Sequence, residues 1–324
     1  MPAQLDGQLL YLSRADVSAL GIEALELVNE VAACFSAKAE GLARSTSTLS
    51  IPMSAGARFV AKGGVIESPH SCAIKWFGYF PANAKLGIPD YHPLLIMSEA
   101  TRGMPLAVID GTWISEVRTA AISAFAARHL ANGQSKSIGF VACGAQAYAH
   151  LELFRQLFPL ARIHAYSRRK ETAEKFCTHA TAAGLRAELC NTAQLEVEHS
   201  DIIVTSVPHT AQPTCQLRGD WMSPGAFASM VDRGNSWDRA SLSCIDTVIT
   251  DDLALSGPLG EERINFEPKG LAGDLADLSL GRLQHSSRGR AAIIFSGAGI
   301  VGAAIGALVY QRACATGKGV LLPL

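Results

Sequence analysis

The chain has 324 residues, of which 48% are hydrophobic and 18% charged, so it can bury a substantial core and is long enough for two domains. A formal net charge of -1 and no run of lysines or arginines argue against a nucleic-acid partner. The eight cysteines are scattered without a CxxC pair or a His/Cys cluster at metal-ligand spacing. This pattern predicts reduced thiols in a cytoplasmic protein, with neither a disulfide framework nor a metal site.

The first part of the chain predicts helices and a mixed sheet. Residues 15–43 place apolar side chains at helical spacing and predict one amphipathic helix, and residues 45–72 are rich in glycine and serine. Runs typical of strands follow, and an alanine-rich stretch over residues 116–131 predicts a helix that ends near Asn132-Gly133. The strand-like runs are residues 72–80, 92–100 and 106–114.

From Lys136 onward, strand and helix patterns alternate with short connections, which is typical of a parallel, doubly wound sheet. We therefore predict an α/β protein with two domains. Residues 131–299 would form a Rossmann-type domain. Residues 1–130, together with a C-terminal helix over about residues 300–324, would form a mixed α+β domain.

Residues 291–310 contain no charged side chain over nearly the length that spans a bilayer, and Gly302 and Gly306 form a GxxxG pair. A membrane helix and a close-packed buried helix both remain open. The glycines lower the hydrophobicity of the segment and no second apolar span accompanies it, so we favour the buried helix and expect no membrane partner.

The sequence Ala142-Cys143-Gly144-Ala145-Gln146-Ala147 follows a predicted strand and opens a predicted helix. It reads AxGxxA, a variant of the dinucleotide fingerprint in which Gly144 lets the backbone approach the pyrophosphate and Ala147 packs the helix on the strand. Alanine at the first position should require a turn that avoids positive φ. The motif assigns cofactor binding to Gly144, Ala145, Gln146 and Ala147.

The next predicted strand ends in Ser167, Arg168 and Arg169, without the carboxylate that would bind the ribose 2′-hydroxyl of NAD. Arginine there suits a 2′-phosphate. We therefore expect Ser167 and Arg168 to contact the cofactor, with NADP(H) favoured and NAD(H) possible.

Residues 74–131, running into residues 138–147, resemble the ornithine cyclodeaminase/mu-crystallin family of NAD(P)-dependent proteins. Its members include cyclodeaminases, archaeal-type alanine dehydrogenase and imine reductases. The resemblance implies a homodimer in which the domain outside the Rossmann fold carries both substrate binding and the subunit interface.

The resemblance also implies roles for particular residues. Lys75 would be catalytic and would contact the substrate, and a lysine on a buried strand indicates an anionic partner on physical grounds as well. Arg44 would bind the substrate carboxylate, Arg118 would bind that carboxylate or a cofactor phosphate, and Asp232 would exchange a proton. The remaining residues implied to bind the cofactor are Thr119, Thr205, Ser206 and Val207.

The first functional hypothesis is an NAD(P)-dependent oxidoreductase that interconverts an α-amino acid and its imino or keto acid. A cyclodeaminase that releases ammonia from a diamino acid and a mu-crystallin-like NADPH-binding protein are the alternatives. The glutamate that holds the distal amine in cyclodeaminases has no secure counterpart, because Lys62 lies in that region and Glu67 is the nearby carboxylate. The final helix also has Ala304 near the place of an acidic residue common in the family.

Overall fold

The computed structural model describes residues 7–68, 70–208, 216–256, 264–267 and 270–324. The chain forms two compact units, the first from residues up to Arg118 together with Ala298–Leu324, and the second from Thr119–Gly297. The predicted mixed α/β architecture is confirmed, with one mixed and one parallel sheet. Cys215, one of the eight cysteines, lies outside the described residues, and the other seven are free thiols.

The first unit combines a mixed sheet with helices. Its strands are β1 (Gln8–Leu12), β2 (Ala43–Ser45), β3 (Leu49–Pro52), β4 (Arg58–Glu67), β5 (His70–Tyr79), β6 (Tyr91–Ser98), β7 (Pro105–Asp110) and β16 (Val320–Pro323). Its helices are α1 (Arg14–Ser18), α2 (Ala24–Ala39), the start of α3 (Thr112–Leu130), and α9 (Ile300–Thr316). The sheet order is β16-β1-β7-β6-β5-β4-β2, with β3 paired to β4.

The single helix predicted over residues 15–43 is wrong, because the structure forms α1 and α2 with a break between them. Gly21 lies in the break with φ +61°, a left-handed conformation that glycine adopts at little cost. Ser13 caps α1 by accepting a hydrogen bond from the backbone N–H of Asp16, and Glu23 begins α2 through a capping box with Glu26. Local capping therefore determines where α1 and α2 begin, whereas the spacing of apolar residues continues through both helices without marking the break.

Helix α9 packs on β4, β5 and β6 through small residues. A Cβ on Gly299 would lie 2.0 Å from the carbonyl oxygen of Gly63, and a Cβ on Gly64 would lie 2.5 Å from the backbone nitrogen of Ile300. A Cβ on Gly306 would meet Leu95 at 2.6 Å. The helix begins where it does because two backbones touch there, an approach that only glycine permits.

The second unit is built on a parallel sheet with the order β10-β9-β8-β11-β12-β15-β13-β14. All of its described strand pairs are parallel. The strands are β8 (Ser137–Val141), β9 (Arg162–Tyr166), β10 (Arg186–Leu189), β11 (Ile202–Thr205), β12 (Phe227–Met230), β13 (Thr247–Thr250), β14 (Gly273–Asp274) and β15 (Ala291–Ile294). The helices besides the end of α3 are α4 (Ala145–Leu157), α5 (Lys170–Ala182), α6 (Ala193–Glu198), α7 (Leu253–Ser256) and α8 (Leu275–Ser279).

Strand order in this sheet reverses between β8 and β11, which is the topological switch point of a doubly wound fold. Ligands of such folds bind outside the carboxyl ends of the strands at that point. The AxGxxA segment follows β8 directly, so the topology puts the fingerprint at the expected edge.

The chain passes between the two units at different points from those predicted. The boundary expected after residue 130 lies after Arg118, inside α3. The reason is that the later turns of α3 bond to the parallel-sheet unit: Ser123 Oγ lies 2.7 Å from both His150 Nε2 and Ser229 Oγ. The chain returns to the first unit between Gly297 and Ala298.

The uncharged run over residues 291–310 belongs to two elements, the interior strand β15 and the helix α9. None of the described helices is long and apolar enough to cross a membrane. The glycines of the run instead serve the close packing of α9 on the sheet of the first unit.

A buried carboxyl group lies between α6 and the strand β8 of the parallel sheet. Glu196 on α6 is fully buried, and neither of its carboxylate oxygens has a hydrogen-bond partner within the described structure. Burial raises the pKa of this carboxyl well above its usual value of 4.5. A Cβ on Gly139 would lie 1.9 Å from Glu196 Oε1, so the glycine in β8 provides the space for it.

This burial makes stability depend on pH. In the unfolded chain Glu196 ionises near its usual pKa of 4.5, whereas in the folded chain it keeps its proton to a higher pH. The contribution of protonated Glu196 to folding stability is therefore fully present below pH 4.5. It is lost as the pH rises from 4.5 through the raised pKa of the folded state. Glu196→Gln should therefore raise Tm relative to wild type more at pH 8 than at pH 5, measured by calorimetry. The exposed Glu171→Gln is the matched control. Equal shifts for both variants at both pH values would contradict the assignment.

Candidate functional site

Lys75 occupies the middle of β5 and is only 7% exposed. Its Nζ donates to Tyr91 Oη at 2.9 Å, Tyr91 Oη donates to Ser115 Oγ at 3.1 Å, and Ser115 Oγ donates to the carbonyl oxygen of Gly111 at 2.6 Å. The chain of donors runs away from the lysine, so the hydrogen bonds fix its ammonium group without neutralising it. Lys75 therefore keeps further N–H donors for another acceptor.

A small pocket in the first unit is lined by Lys75, Lys62 and Arg118, with apolar side chains and the glycines at the start of α9 forming its other walls. Lys62 and Lys75 lie directly opposite each other in the β4–β5 register. None of the lining residues that the structure describes carries a carboxylate. Burial lowers the pKa of Lys75 well below its usual value, and the charges of Arg118 and Lys62 lower it further.

Arg118 is half-buried at the end of the first unit. Its Nη1 donates to the carbonyl oxygen of Ala298 at 3.5 Å, and its buried Nε–H meets no acceptor among the described residues. A buried guanidinium donor without an acceptor is costly, and a carboxylate is the ligand that fits the guanidinium fork. The pocket is thus chemically suited to an anion.

Arg44 is placed differently from its predicted role. It lies on β2 with its side chain 62% exposed, paired with the carboxylate of Glu67, and it also donates to the carbonyl oxygen of Gly41 at 3.1 Å. It does not line the pocket that contains Lys75. Its neighbour Ser45 has the structural role instead, because Ser45 Oγ accepts from the backbone N–H groups of Gly299 and Ile300 at the start of α9.

In the second unit, the turn after β8 differs from the prediction. Ala142 adopts φ +73°, so the turn keeps the left-handed conformation that was expected to be avoided. Two hydrogen bonds hold it there, from Ala142 N to the Tyr166 carbonyl oxygen at 2.9 Å and from Ser206 Oγ to the Ala142 carbonyl oxygen at 3.3 Å. The strain, on the order of 1–3 kcal/mol, is sustained because three strand ends determine the turn together.

Gly144 is the N-cap of α4, and a Cβ added to it would meet no atom within 4 Å. Ala145 is exposed and Gln146 half-buried in the first turn, whereas Ala147 is fully buried against the sheet. The helix N-terminus therefore opens onto free space beside the turn, which is the arrangement that accepts a phosphate. Because that cradle is open, these residues fit a dinucleotide.

The neighbouring strand β9 ends at Tyr166, and Ser167 and Arg168 follow it, half-buried and exposed respectively. Strands β8 and β9 are paired in parallel, with Val141 opposite Tyr166. The structure thus brings Arg168 to the same sheet edge as the fingerprint turn.

Asp232 lies just beyond β12 and is 7% exposed. Its carboxylate accepts from Thr205 Oγ1 at 3.0 Å, from the backbone N–H of Gly234 at 3.2 Å, and from Ser236 Oγ. Trp237 Nε1 donates in turn to Thr205 Oγ1 at 3.2 Å. Burial raises the pKa of Asp232 to about 6, although these hydrogen bonds act in the opposite direction. The group can therefore gain or lose a proton close to neutral pH.

The other predicted cofactor residues surround this carboxyl edge. Thr205 ends β11 and is fully buried, while Ser206 and Val207 follow it and are half-buried. The backbone N–H of Ser206 donates to the Val141 carbonyl oxygen at 3.1 Å, so the ends of β8 and β11 stay together. Thr119 is buried as the first residue of the second unit, and its carbonyl oxygen accepts from Ser123 Oγ at 3.1 Å.

Four residues of these networks were not predicted as functional: Lys62, Tyr91, Ser115 and Trp237. Knowledge of the strand register would have pointed to Lys62, because Lys62 lies opposite Lys75 in the pairing of β4 with β5. Tyr91, Ser115 and Trp237 act through single side-chain hydrogen bonds, which have no periodic signature. In the described part of the chain, no group of three or more His, Cys, Asp or Glu side chains is placed to hold a metal ion.

The second unit has a doubly wound fold with an open fingerprint turn, and the first unit has a mixed sheet with a pocket suited to an anion. The sequence pattern of the ornithine cyclodeaminase/mu-crystallin family matches residues 10–248. The chain belongs to this family.

Curated relatives include the alanine dehydrogenase of Archaeoglobus fulgidus, 32% identical over 158 residues, which cover 49% of this chain and 48% of that protein. The ketimine reductase mu-crystallin of Mus musculus is 31% identical over 153 residues, or 47% of each chain. The matched segment thus spans about half the length of these relatives.

Solved structures match the fold over nearly the whole chain. The Δ1-pyrroline-2-carboxylate reductase of Thermococcus litoralis, in complex with NADH and L-proline, has a TM-score of 0.87 at 22% identity, covering 96% of this chain and 99% of that one. An archaeal alanine dehydrogenase dimer with bound NAD has a TM-score of 0.85 at 24% identity, covering 98% and 99%. These similarities support the predicted fold class.

Proposed function

We propose that the protein is an NAD(P)-dependent oxidoreductase that interconverts an α-amino acid and its α-imino or keto acid. The observation that carries this proposal is the pocket that Lys75 and Arg118 line as hydrogen-bond donors, where the buried Nε–H of Arg118 meets no described acceptor and no described lining residue carries a carboxylate. The relatives with similar sequences act on alanine and on ketimines by name. Alanine, like every α-amino acid, carries an α-carboxylate, which is the anion for which the pocket is suited.

In this reaction Arg118 binds the α-carboxylate through its guanidinium fork, and Lys75 orients the carboxylate and the adjacent nitrogen. Asp232 exchanges a proton with the amine or with the water that attacks the imine, which its pKa of about 6 allows. A bound nicotinamide would supply or accept the hydride at Cα. The hydroxyl of Thr205 and the indole of Trp237 hold the Asp232 carboxylate in one orientation.

A cyclodeaminase acting on a diamino acid is less well supported. A cationic distal amine needs a carboxylate, and the described residues that line the pocket include none.

These roles predict a separation between turnover and cofactor binding. Lys75→Ala and Asp232→Asn should each lower kcat/KM by about 100-fold or more, in the range of general acid–base and charge-assisted contributions. Their dissociation constants for the reduced cofactor, measured by fluorescence, should stay within about twofold of wild type because neither residue is assigned to the cofactor. In the direction of amino acid oxidation, wild-type kcat should fall below about pH 6 as Asp232 becomes protonated. Near-normal turnover in both variants would exclude the assignment.

We propose NADP(H) as the preferred cofactor, with NAD(H) possible. The support is Arg168, which follows β9 at the edge that carries the fingerprint turn, and the absence of an acidic side chain from residues 167–170. Arginine suits a 2′-phosphate.

The preference can be measured directly. Arg168→Ala should raise the dissociation constant for NADPH by about 10-fold or more through loss of a charge-assisted contact, and should change that for NADH less than twofold. The exposed Arg162→Ala, at the opposite end of β9, is the matched control. Equal effects of Arg168→Ala on the two cofactors would remove the basis for NADP(H).

We also propose a homodimer built on the sheet of the first unit. Ile74 and Ile96 are register partners on β5 and β6, and they are 43% and 40% exposed; Leu94, opposite Trp76, is 41% exposed. A row of large apolar side chains on one sheet face is typical of a protein–protein interface.

If this sheet face forms the dimer interface, a charged residue placed in it should lower the molecular mass of the protein in solution. Ile96→Lys should convert the dimer into a monomer at micromolar concentration, as measured by light scattering after size-exclusion chromatography, because it would bury two unpaired ammonium groups. Leu195→Lys, which changes an equally exposed leucine of the second unit, should leave the mass unchanged. A wild-type monomer, or a dimer that survives Ile96→Lys, would contradict this interface.

A further inference from the structure

The chain directly after Asp232 has a backbone conformation that residues other than glycine rarely adopt. Arg233 has φ +62° and Gly234 has φ +74°, so two consecutive residues are left-handed. Glycine adopts this conformation at little cost, whereas arginine is strained in it. Strain of this kind persists only where the surrounding structure imposes it, and it is concentrated at functional sites.

This conformation directs hydrogen-bond donors at the carboxylate of Asp232. The backbone N–H of Gly234 donates to Oδ1 of the carboxylate at 3.2 Å, and Ser236 Oγ donates to Oδ2. Both donors belong to residues 233–237, which we call the Asp232 loop. The path of this loop therefore decides how both oxygens of the carboxylate are held.

Asn265 binds the Asp232 loop from a separate part of the chain, 31 residues beyond Gly234. Its backbone N–H donates to the carbonyl oxygen of Arg233 at 2.9 Å. Its side-chain Nδ2 donates to the carbonyl oxygens of Gly234 at 2.8 Å and of Trp237 at 2.9 Å. Because a carbonyl oxygen can only accept, both hydrogens of the amide point at the loop. One residue thus joins the left-handed start of the loop to its end.

These three hydrogen bonds end on the backbone of the loop, so they act on Asp232 through it. The contact is close, since a Cβ on Gly234 would lie 3.4 Å from the Cβ of Asn265. The end of the loop matters as well, because the indole of Trp237 donates to Thr205 Oγ1 at 3.2 Å and that hydroxyl donates to Asp232 at 3.0 Å. By holding Gly234 and Trp237, Asn265 holds one direct donor to the carboxylate and the partner of a second.

We propose that Asn265 is a positioning residue for Asp232, which holds the Asp232 loop in its left-handed conformation and so keeps the carboxylate directed for proton exchange. This inference rests on the proposed oxidoreductase function, in which Asp232 exchanges the proton. An amide suits this place because it offers two N–H donors to two carbonyl oxygens. Aspartate has the same shape and, when ionised, no donor.

The first test removes the two side-chain donors. Reduction is followed with the best substrate among pyruvate, 4-methyl-2-oxopentanoate and phenylpyruvate, each with ammonia, and Δ1-pyrroline-2-carboxylate. Asn265→Asp and Asn265→Ala should each lower kcat at least about 10-fold, because two hydrogen bonds are lost and the carboxylate of Asp232 is no longer held. KM and the dissociation constant for the reduced cofactor should stay within about threefold of wild type.

Asn132→Asp is the matched control, because it makes the same chemical change elsewhere in the second unit. Asn132 is exposed, and its side-chain oxygen accepts from the backbone N–H of Gln134 at 2.9 Å, a hydrogen bond that aspartate retains. This variant should leave kcat unchanged.

The second test relieves the strain in the loop. In the Asn265→Ala background, Arg233→Gly should restore kcat to within about threefold of the Arg233→Gly single variant, because glycine adopts the left-handed conformation without help from Asn265. Arg233→Ala also removes the arginine side chain but keeps the strain, so it should restore nothing. Rescue by glycine and not by alanine separates positioning of the loop from a general contribution to stability.

The failures of the two proposals are distinguishable. Near-normal kcat in both Asn265 variants, or a parallel loss of cofactor binding and turnover without rescue by glycine, would overturn the positioning role and leave the oxidoreductase proposal standing. Wild-type protein that binds NADPH or NADH but oxidises neither with any of these substrates would overturn the proposed function and this inference with it.

Discussion

Repulsion among buried cations is the constraint on which the account of this protein depends. Lys75 is nearly inaccessible to solvent, lies opposite Lys62 and shares a pocket with Arg118. Burial and both neighbouring charges disfavour its ammonium form. Apolar residues at these positions would avoid that electrostatic cost, which is the physical basis of the anionic substrate proposed for this pocket.

The fold of each unit serves one chemical task. In the first unit, contacts between Gly64 and Ile300 and between Gly63 and Gly299 bring the start of α9 onto β4, next to the pocket lined by the cations. In the second unit, the ends of parallel strands bring together the Gly144 turn and the hydrogen-bonded Asp232. Asp232 resembles Lys75 in that each is a buried ionisable group with a neutral hydroxyl among its described hydrogen-bond partners.

Much of this could be predicted from the sequence, because the strand–helix alternation after Lys136 and the AxGxxA turn are local patterns. The break at Gly21 was missed since the apolar spacing continues through it. Strands β3 and β4 were hidden in a glycine-rich segment in which Gly63 and Gly64 serve close packing rather than turns. The left-handed Ala142 was missed because tertiary hydrogen bonds from two other strands hold it. The opposition of Lys62 and Lys75 depends on strand register, which pairwise contacts decide and single residues do not.

The most direct test of the central claim is the fate of the hydride. Cofactor carrying deuterium at the reduced C4 position of its nicotinamide would be incubated with a keto acid, ammonia and the purified protein, and the amino acid product analysed by mass spectrometry and NMR. The proposed oxidoreductase function predicts one deuterium, bound at Cα, in one enantiomer of the product. Amino acid formed without deuterium at Cα, or cofactor oxidised without any amino acid, would contradict it.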